Sequence, residues 1–510
     1  MPQLLKSTLV VSVMTTISRI FGLIRDVIIA RYFGAGLGVD VFIVAFRIPN
    51  FLRRLFAEGG FSQAFVPVLA EYKEQRPGEI RALLDQTTAT LGTVLFAISI
   101  IGILAAPVLI MIFAPGFVGD ETKHGLAAQM LRITFPYIFF ISLTALAGGV
   151  LNTYRNFAVP AFTPVFLNLS LIGSAIWLAP HFPEPVVALA WGVFIAGIIQ
   201  LLFQIPFLAR LRLLPVPRFN RDKEGVSRIL KLMLPTLFAI SITQINLLVD
   251  TLIASFLQTG SISWLYYSDR LMEFPLGVFG VALATVILPS LSAEQAKGSR
   301  EGYSNTLNWA LRWVFLIAMP AAVGLALLAG PMLMTLFQYQ EFTVHDVQMS
   351  SRSLMAYSVG LPAFVLIKVL SSGFFSRQDT KTPVKVGVVA MLSNIVLNII
   401  LVFPLAHAGL ALATSLAAYV NAGLLYFFLH RQGHHKANKG WIGYLIKLGM
   451  GLVMMVVIFL LWVPEVAAWY DWNVYHRVIQ LTVWIVAGAL SYFAVLWLSG
   501  LRFREMLAPS

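Results

Sequence analysis

The chain contains no cysteine. Disulfides, thiolate metal sites and cysteine nucleophiles are therefore excluded. Charge is scarce too: 12% of the 510 residues are Asp, Glu, Lys or Arg, against 58% hydrophobic. A soluble domain carries roughly twice that charged share. No GxxxxGK[ST] phosphate-binding loop occurs, so direct ATP hydrolysis has no support. Polar–apolar alternation is also missing. The apolar runs are continuous and about 20 residues long, which excludes a transmembrane β-barrel and leaves a helical membrane protein. The first residues lack a small-x-small cleavage site and carry Arg19 where a signal peptide is apolar, so they read as a first membrane helix.

Fourteen spans are expected, at approximately 9–32, 37–58, 87–113, 127–151, 159–179, 186–209, 228–257, 263–291, 307–337, 350–375, 383–403, 408–430, 441–463 and 476–499. The net charge of +13 does not point to nucleic acid, because the cations gather in one set of loops. Those after even-numbered spans hold Arg210, Arg212, Arg218, Arg221 and Lys223, then Lys297 and Arg300, Arg377 and Lys381, and Arg431, Lys436 and Lys439. The other loops are short and neutral or acidic. The positive-inside rule then places both termini in the cytoplasm.

An internal repeat organises the spans. Asp26-VIIARYFGA-Gly36 aligns with Asp250-TLIASFLQT-Gly260, Val66-Pro67 with Leu288-Pro289, and Pro160 with Pro383, all at an offset of about 223 residues. The expected fold is an all-α polytopic membrane protein with about fourteen transmembrane helices: two parallel six-helix repeats plus two extra C-terminal helices. This divides the chain into an N-lobe at 1–222, a C-lobe at 223–435 and helices 13–14 at 436–510. In such transporters the substrate site lies between the repeats.

Charge inside these spans is the main functional signal. An Arg facing lipid at mid-membrane costs roughly 3 kcal/mol on insertion scales. Spans 1 and 2 nevertheless carry Arg19, Arg25, Asp26, Asp40, Arg47, Arg53, Arg54 and Glu58. Arg19 and Asp26 share a helix face, while Arg25 is expected to point about 100° away. Arg47, Asn50, Arg54 and Glu58 make one polar stripe, with Pro49 inside it as a place to kink or break the helix. Arg53 falls off that stripe. Span 8 adds Asp269, Arg270 and Glu273, the last two spaced to pair. A structural reading makes these groups buried ion pairs or snorkelling cations. The functional reading makes them the wall of a water-filled cationic cavity. Arg offers fixed, paired donors to phosphate, so an anionic cargo is expected, with pyrophosphate the natural match.

The runs SRIFGLIRD, RYFGAG, FRIPNFLRRLFAEGGFSQAFVPVLAEY, YYSDRLMEFPLGVFGVALATVILPSLS and GFFSRQDTKTPVKV closely resemble the bacterial MurJ (MviN) family across the whole chain. These are lipid II flippases of the multidrug/oligosaccharidyl-lipid/polysaccharide exporter superfamily. The resemblance implies a transporter, not an enzyme, in the bacterial cytoplasmic (inner) membrane. It implies movement of the undecaprenyl-pyrophosphate-linked peptidoglycan precursor from the cytoplasmic to the outer leaflet by alternating access. Arg19, Arg25, Arg53 and Arg270 become candidates for cargo binding. Asp26, Asp40, Arg47, Arg54, Glu58, Asp269 and Glu273 become candidates for a gating or polar network. Arg47 stands where family members have Lys. Helices 13 and 14 would form a groove for the lipid tail.

Asp250, Asn394, Asn398 and Thr414 resemble a Na⁺ site found in some family members, with Asn398 in place of an Asp; the alternative for Asp250 is an interhelical hydrogen bond or a carboxyl held protonated. Lys368 is a further intramembrane cation. The His430–His435 run reads as a cytoplasmic loop before it reads as a metal site. No other cofactor is expected. The expected partners are lipid II and membrane lipids, with no nucleic acid, a monomeric state and contact with cell-wall synthesis proteins. Two competing functions carry their own signatures. A drug exporter for organic cations needs an acidic or aromatic cavity, while an exporter of another polyprenyl-linked glycan would share the basic one. A polyprenyl-phosphate glycosyltransferase needs a catalytic carboxylate facing water and a large external loop, and the external acids here are scattered ones such as Asp120, Glu121 and Glu184.

Overall fold

The computed structural model describes residues 2–219, 224–436, 438 and 440–501, with the side chains of 2–9, 56–59, 235, 236, 238–243 and 281 outside the described set. The Glu58 side chain and the loop cations Arg221, Lys223 and Lys439 thus lie outside the described residues. Every regular element among the described residues is helical, and the chain forms two compact units, Met1–Gly260 and Ser261–Ser510.

Unit 1 runs through α1 (Pro2–Phe33), α2 (Leu37–Arg53), a π-helical segment (Arg54–Phe61), α3 (Ser62–Gln75), α4 (Ile80–Leu104), α5 (Ala106–Phe113), α6 (Glu121–Thr134), α7 (Tyr137–Thr153), α8 (Ala158–Phe162), α9 (Pro164–Gly173), α10 (Val187–Arg210) and α11 (Glu224–Ala254). An apolar cluster joins α3, α4, α7 and α11 through Phe65, Leu69, Leu84, Leu146, Val150 and Ile229. α11, which the repeat assigns to the second lobe, is therefore packed within unit 1.

Unit 2 holds α12 (Ser261–Pro275), a π-helical segment (Leu276–Gly280), α13 (Val281–Ala296), α14 (Arg300–Leu327), α15 (Ala329–Phe337), α16 (Val344–Phe375), α17 (Lys381–Arg431), α18 (Trp441–Trp462), α19 (Val466–Asp471) and α20 (Val474–Leu498). α16 starts on a capping box in which Thr343 and Asp346 satisfy each other's backbone amides. Arg477 is buried at the start of α20, yet its guanidinium donates to the carbonyls of Trp469, Tyr470, Met334 and Gln338. Those carbonyls close α15 and α19, so one cation ties three helix ends together.

Ten helical runs among the described residues are long and apolar enough to cross a membrane. Nine coincide with one expected span each, and the 51-residue α17 covers two. α1, α2 and α11 stand where the remaining spans are expected, and they carry most of the intramembrane charge. α17 is not straight: Ala406 sits at φ 49°, ψ −129°. Just beyond it, a Cβ on Gly409 would lie 2.2 Å from the Leu401 carbonyl oxygen. Only glycine permits that approach.

Of the two outcomes expected at Pro49, a kink or a break, the break does not occur. α2 runs through it, and the irregular hydrogen bonding comes later, in the π segment at Arg54–Phe61. The carbonyl that Pro49 leaves without an amide belongs to Ala45, and the Thr134 hydroxyl of α6 lies 3.3 Å from it. A neighbouring helix thus supplies the missing donor.

The connection from α17 to α18 is pinned by Asn308 of α14. Its amide donates to the Lys436 carbonyl at 2.7 Å, and its oxygen accepts from Trp441 Nε1 at 2.9 Å. His435 is buried beneath this strap, 5.1 Å from the Tyr426 ring. Neither of its ring nitrogens has a hydrogen-bond partner among the described residues. Burial, aided by nearby His430, pushes the imidazole down to about 4 from 6.5. The folded form therefore holds His435 neutral, and protonation of the unfolded chain competes as pH falls. Thermal stability in detergent is expected to drop between about pH 6.5 and about pH 4, and His435→Phe should remove that part of the slope. Gly409→Ala is expected to cost roughly 1–3 kcal/mol, seen as a lower melting temperature without loss of helix content.

Candidate functional site

The charges of α1 are arranged differently from the expectation that Arg25 points away from Asp26. The two form a buried pair: Arg25 Nε and one terminal nitrogen donate to Asp26 Oδ1 at 2.9 and 2.7 Å. The other terminal nitrogen donates to Asn168 Oδ1 of α9 at 3.0 Å. Asn168 in turn donates to the Ser18 carbonyl at 3.0 Å. The long Arg side chain folds back over one residue, so backbone angle alone did not fix its direction. A lone Arg at 8% exposure would be costly; a carboxylate and an amide make it tolerable. Arg19 takes part in none of these pairs and is exposed.

The polar stripe of α2 faces α11 in unit 1. Arg47 donates to the Thr251 hydroxyl and to the Leu247 carbonyl, the latter at 3.3 Å. Arg54 donates to Gln244 Oε1 at 3.2 Å. Arg53, expected off the stripe, reaches back to its member Asn50 at 2.9 Å. At one end of this seam the buried Asp40 accepts the Gly260 amide at 2.6 Å. At the other end Arg228 of α11 holds Glu71 of α3 in a two-pronged bridge, both contacts 2.7 Å. Arg76 bridges Glu224 at 3.3 Å. The Arg228 hydrogen bonds hold the Glu71 carboxyl below its ordinary range. Both ends of the seam are latched, and Arg residues occupy its middle.

In unit 2 Arg270 pairs with Glu273 at 2.9 Å, as the spacing suggested, and its guanidinium lies 4.9 Å from the Tyr266 ring centre. This pair is half open, with side-chain exposures of 35% and 48%. Asp269 sits beside it on α12, half-buried. Asn394, Asn398 and Thr414 are brought together across the two arms of α17: Asn398 donates to Asn394 Oδ1 at 3.1 Å, and Asn394 to the Thr414 hydroxyl at 3.3 Å. Asp250 belongs to α11 of unit 1 and is half-buried. Among the described residues no group of three or more His, Asp or Glu side chains is arranged to hold a metal ion. Oxygen ligands of the Asn and Thr kind suit a hard monovalent cation instead. Lys368 is exposed.

Sequence reasoning missed the uncharged partners. Asn168 and Gln244 are amides inside largely apolar helices, which is a usable signal. The Gly260 amide has none, since a backbone donor carries no side-chain signature.

A family profile described as lipid II flippase MurJ matches residues 29–479. The chain is 48% identical to a probable lipid II flippase MurJ of Vibrio cholerae, with 100% of this chain and 98% of that one covered. It is 42% identical to a lipid II flippase MurJ of Burkholderia cenocepacia, with 98% of each covered. A solved lipid II flippase MurJ in an inward closed conformation is similar at a TM-score of 0.82 and 29% identity, over 98% of this chain and 100% of that one. An inward-facing multidrug MATE transporter shares the fold, at a TM-score of 0.69 and 14% identity, over 83% and 98%.

The Arg25–Asp26–Asn168 arrangement makes a sharp energetic prediction. Asp26→Asn leaves a buried cation without its counter-charge and is expected to cost about 3–5 kcal/mol. Replacing both partners, Arg25→Met with Asp26→Leu, should be less destabilising than Asp26→Asn alone. Melting curves of the purified variants decide it, and a double variant less stable than Asp26→Asn would contradict the pairing.

Proposed function

The chain belongs to the lipid II flippase MurJ family, and from that premise we propose how its intramembrane cations move their cargo. The protein is a multi-pass membrane transporter, not an enzyme, and its function is the flipping of lipid II. The observation that carries this is full-length identity of 48% and 42% to proteins named as lipid II flippases.

The cargo carries a pyrophosphate, and a pyrophosphate in a low-dielectric path needs cations that can leave their resting partners. The four candidate arginines differ in that respect. Arg19 is exposed, and Arg270 rests on a half-open carboxylate and an aromatic face. An exposed ion pair is worth about 1 kcal/mol or less, so phosphate displaces Glu273 readily. Arg25 is locked by Asp26 and Asn168 and costs more to release. Arg19 and Arg270 therefore meet the pyrophosphate first, Arg25 exchanges Asp26 for it later, and Arg53 follows the same route from Asn50. The two latched ends of the α2–α11 seam act as alternating gates: Asp40–Gly260 on one side, Glu71–Arg228 and Arg76–Glu224 on the other.

The wider reading has fourteen crossings in two parallel six-helix repeats, with both termini cytoplasmic, working by alternating access in the bacterial inner membrane. α18 and α20 are the two helices outside the repeat and hold the lipid tail; their outward faces are apolar, with Leu460, Leu461 and Leu490 well exposed. The protein works as a monomer in contact with cell-wall synthesis proteins. Asp250, Asn394, Asn398 and Thr414 bind Na⁺ in one state of the cycle. Charge moving through the field contributes about 2.3 kcal/mol per 100 mV per elementary charge.

Leaflet-resolved transport of lipid II in proteoliposomes tests the reading. Arg19→Ala and Arg270→Ala are each expected to lower the flipping rate at least tenfold while the protein still inserts. The corresponding Lys variants should fall between, because charge stays and paired donors are lost. Wild-type rates in both Ala variants would sink the cationic route, and Na⁺-independent flipping at every imposed gradient would remove the ion site.

A further inference from the structure

Arg312 lies on α14 within an expected span, twelve residues from its start, and is half-buried. Among the described residues its side chain forms no salt bridge and no hydrogen bond, and its Nε is fully buried without a partner. Two aromatic rings of α18 hold it: the guanidinium carbon is 5.7 Å from the Trp441 ring centre and 5.6 Å from that of Tyr444. The Tyr444 hydroxyl donates to the Arg312 carbonyl at 2.6 Å, and Trp441 is anchored on Asn308 one turn earlier. The cage is therefore rigid. It belongs to none of the cargo residues above.

This is an uncommon state for a cation at that depth. Arg25 has Asp26, Arg270 has Glu273, and Arg477 has four carbonyls. Ring faces attract a guanidinium by about 0.5–2 kcal/mol but neutralise nothing. Trp309 and Trp313, in ring contact at 6.3 Å, flank Arg312 on the same helix, and Trp441 begins α18. Trp clusters of this kind mark the membrane–water boundary, where lipid phosphates lie. Arg312 as a whole is only half-buried, so part of its side chain stays accessible beside the rings.

We propose that Arg312, caged by Trp441 and Tyr444, is a binding site for the phosphate of an anionic membrane lipid at the junction of α14 and α18. The acyl chains of that lipid lie along the exposed apolar face of α18, where Ile442, Leu445 and Ile446 point outward. The aromatic cage fixes the guanidinium plane, so its terminal nitrogens present paired donors to two phosphate oxygens. The ligand is set by chemistry: a phosphodiester with net negative charge and a hydrocarbon tail.

The test uses the full-length protein released from nanodiscs, with bound lipid counted by native mass spectrometry. The probes are phosphatidylglycerol, phosphatidylcholine and diacylglycerol, each against inorganic phosphate as competitor. Wild type is expected to retain phosphatidylglycerol about tenfold more tightly than diacylglycerol. Phosphatidylcholine should fall between, and millimolar inorganic phosphate should displace little. Arg312→Gln should abolish the preference and Arg312→Lys keep part of it. Equal retention of phosphatidylglycerol by wild type and a folded Arg312→Gln overturns the proposal. Equal retention of phosphatidylglycerol and diacylglycerol by the wild type does so without any variant. Full competition by inorganic phosphate also does, because it would make this a soluble-anion site.

Discussion

A charge in hydrocarbon must find a partner, and most of this structure can be read as the ways its cations do so. Arg477 is neutralised by carbonyl dipoles that helix ends leave over. Arg25 takes a carboxylate and an amide, at the expense of mobility. Arg270 takes a carboxylate it can leave. Arg47 and Arg54 reach across to a neighbouring helix, where a carbonyl and an amide oxygen are among their partners. These four solutions form a gradient from fixed to releasable. A group bound by fixed dipoles stays where it is, whereas a group bound by a solvent-exposed ion can be recruited.

The seam between α2–α3 and α11 applies the same logic along a length. Its middle holds Arg47 and Arg54, and its ends are closed by different chemistry: a carboxylate on a backbone amide at one end, two exposed ion pairs at the other. The Asp40 end is short-ranged and buried, so ionic strength barely touches it. The Glu71 and Arg76 end lies in water, where screening over about 8 Å weakens it at physiological salt. The two ends therefore respond differently to salt, the Glu71 and Arg76 end loosening first.

Much of this was legible in the residues. Continuous apolar runs announced helices, and the i,i+3 spacing of Arg270 and Glu273 announced their pair. The clustered Arg residues announced an anionic cargo, and the motifs around them announced the family. Two of the misses share one cause. Helical-wheel angles describe Cβ directions, and an Arg side chain is long enough to overrule them, which is how Arg25 reached Asp26 and Arg53 reached Asn50. That the helix continues through Pro49 was not legible either: the donor that serves its freed carbonyl, Thr134, comes from a helix distant in sequence. Backbone donors such as the Gly260 amide are invisible in a string of side chains.

The π-helical segment at Arg54–Phe61 carries a consequence for how this family of chains can vary in length. A π turn is an α-helix holding one surplus residue. Each residue in an α-helix rotates the remainder of the helix by about 100°. Loss of a single residue there would restore ordinary helix and leave the end-to-end distance nearly unchanged. Because the widened turn absorbs the surplus residue, its loss there would also leave Glu71 of α3 facing Arg228 of α11. In this stretch a one-residue length change is taken up by the turn itself, whereas the same change in the regular part of α3 would rotate the Glu71 face by about 100°.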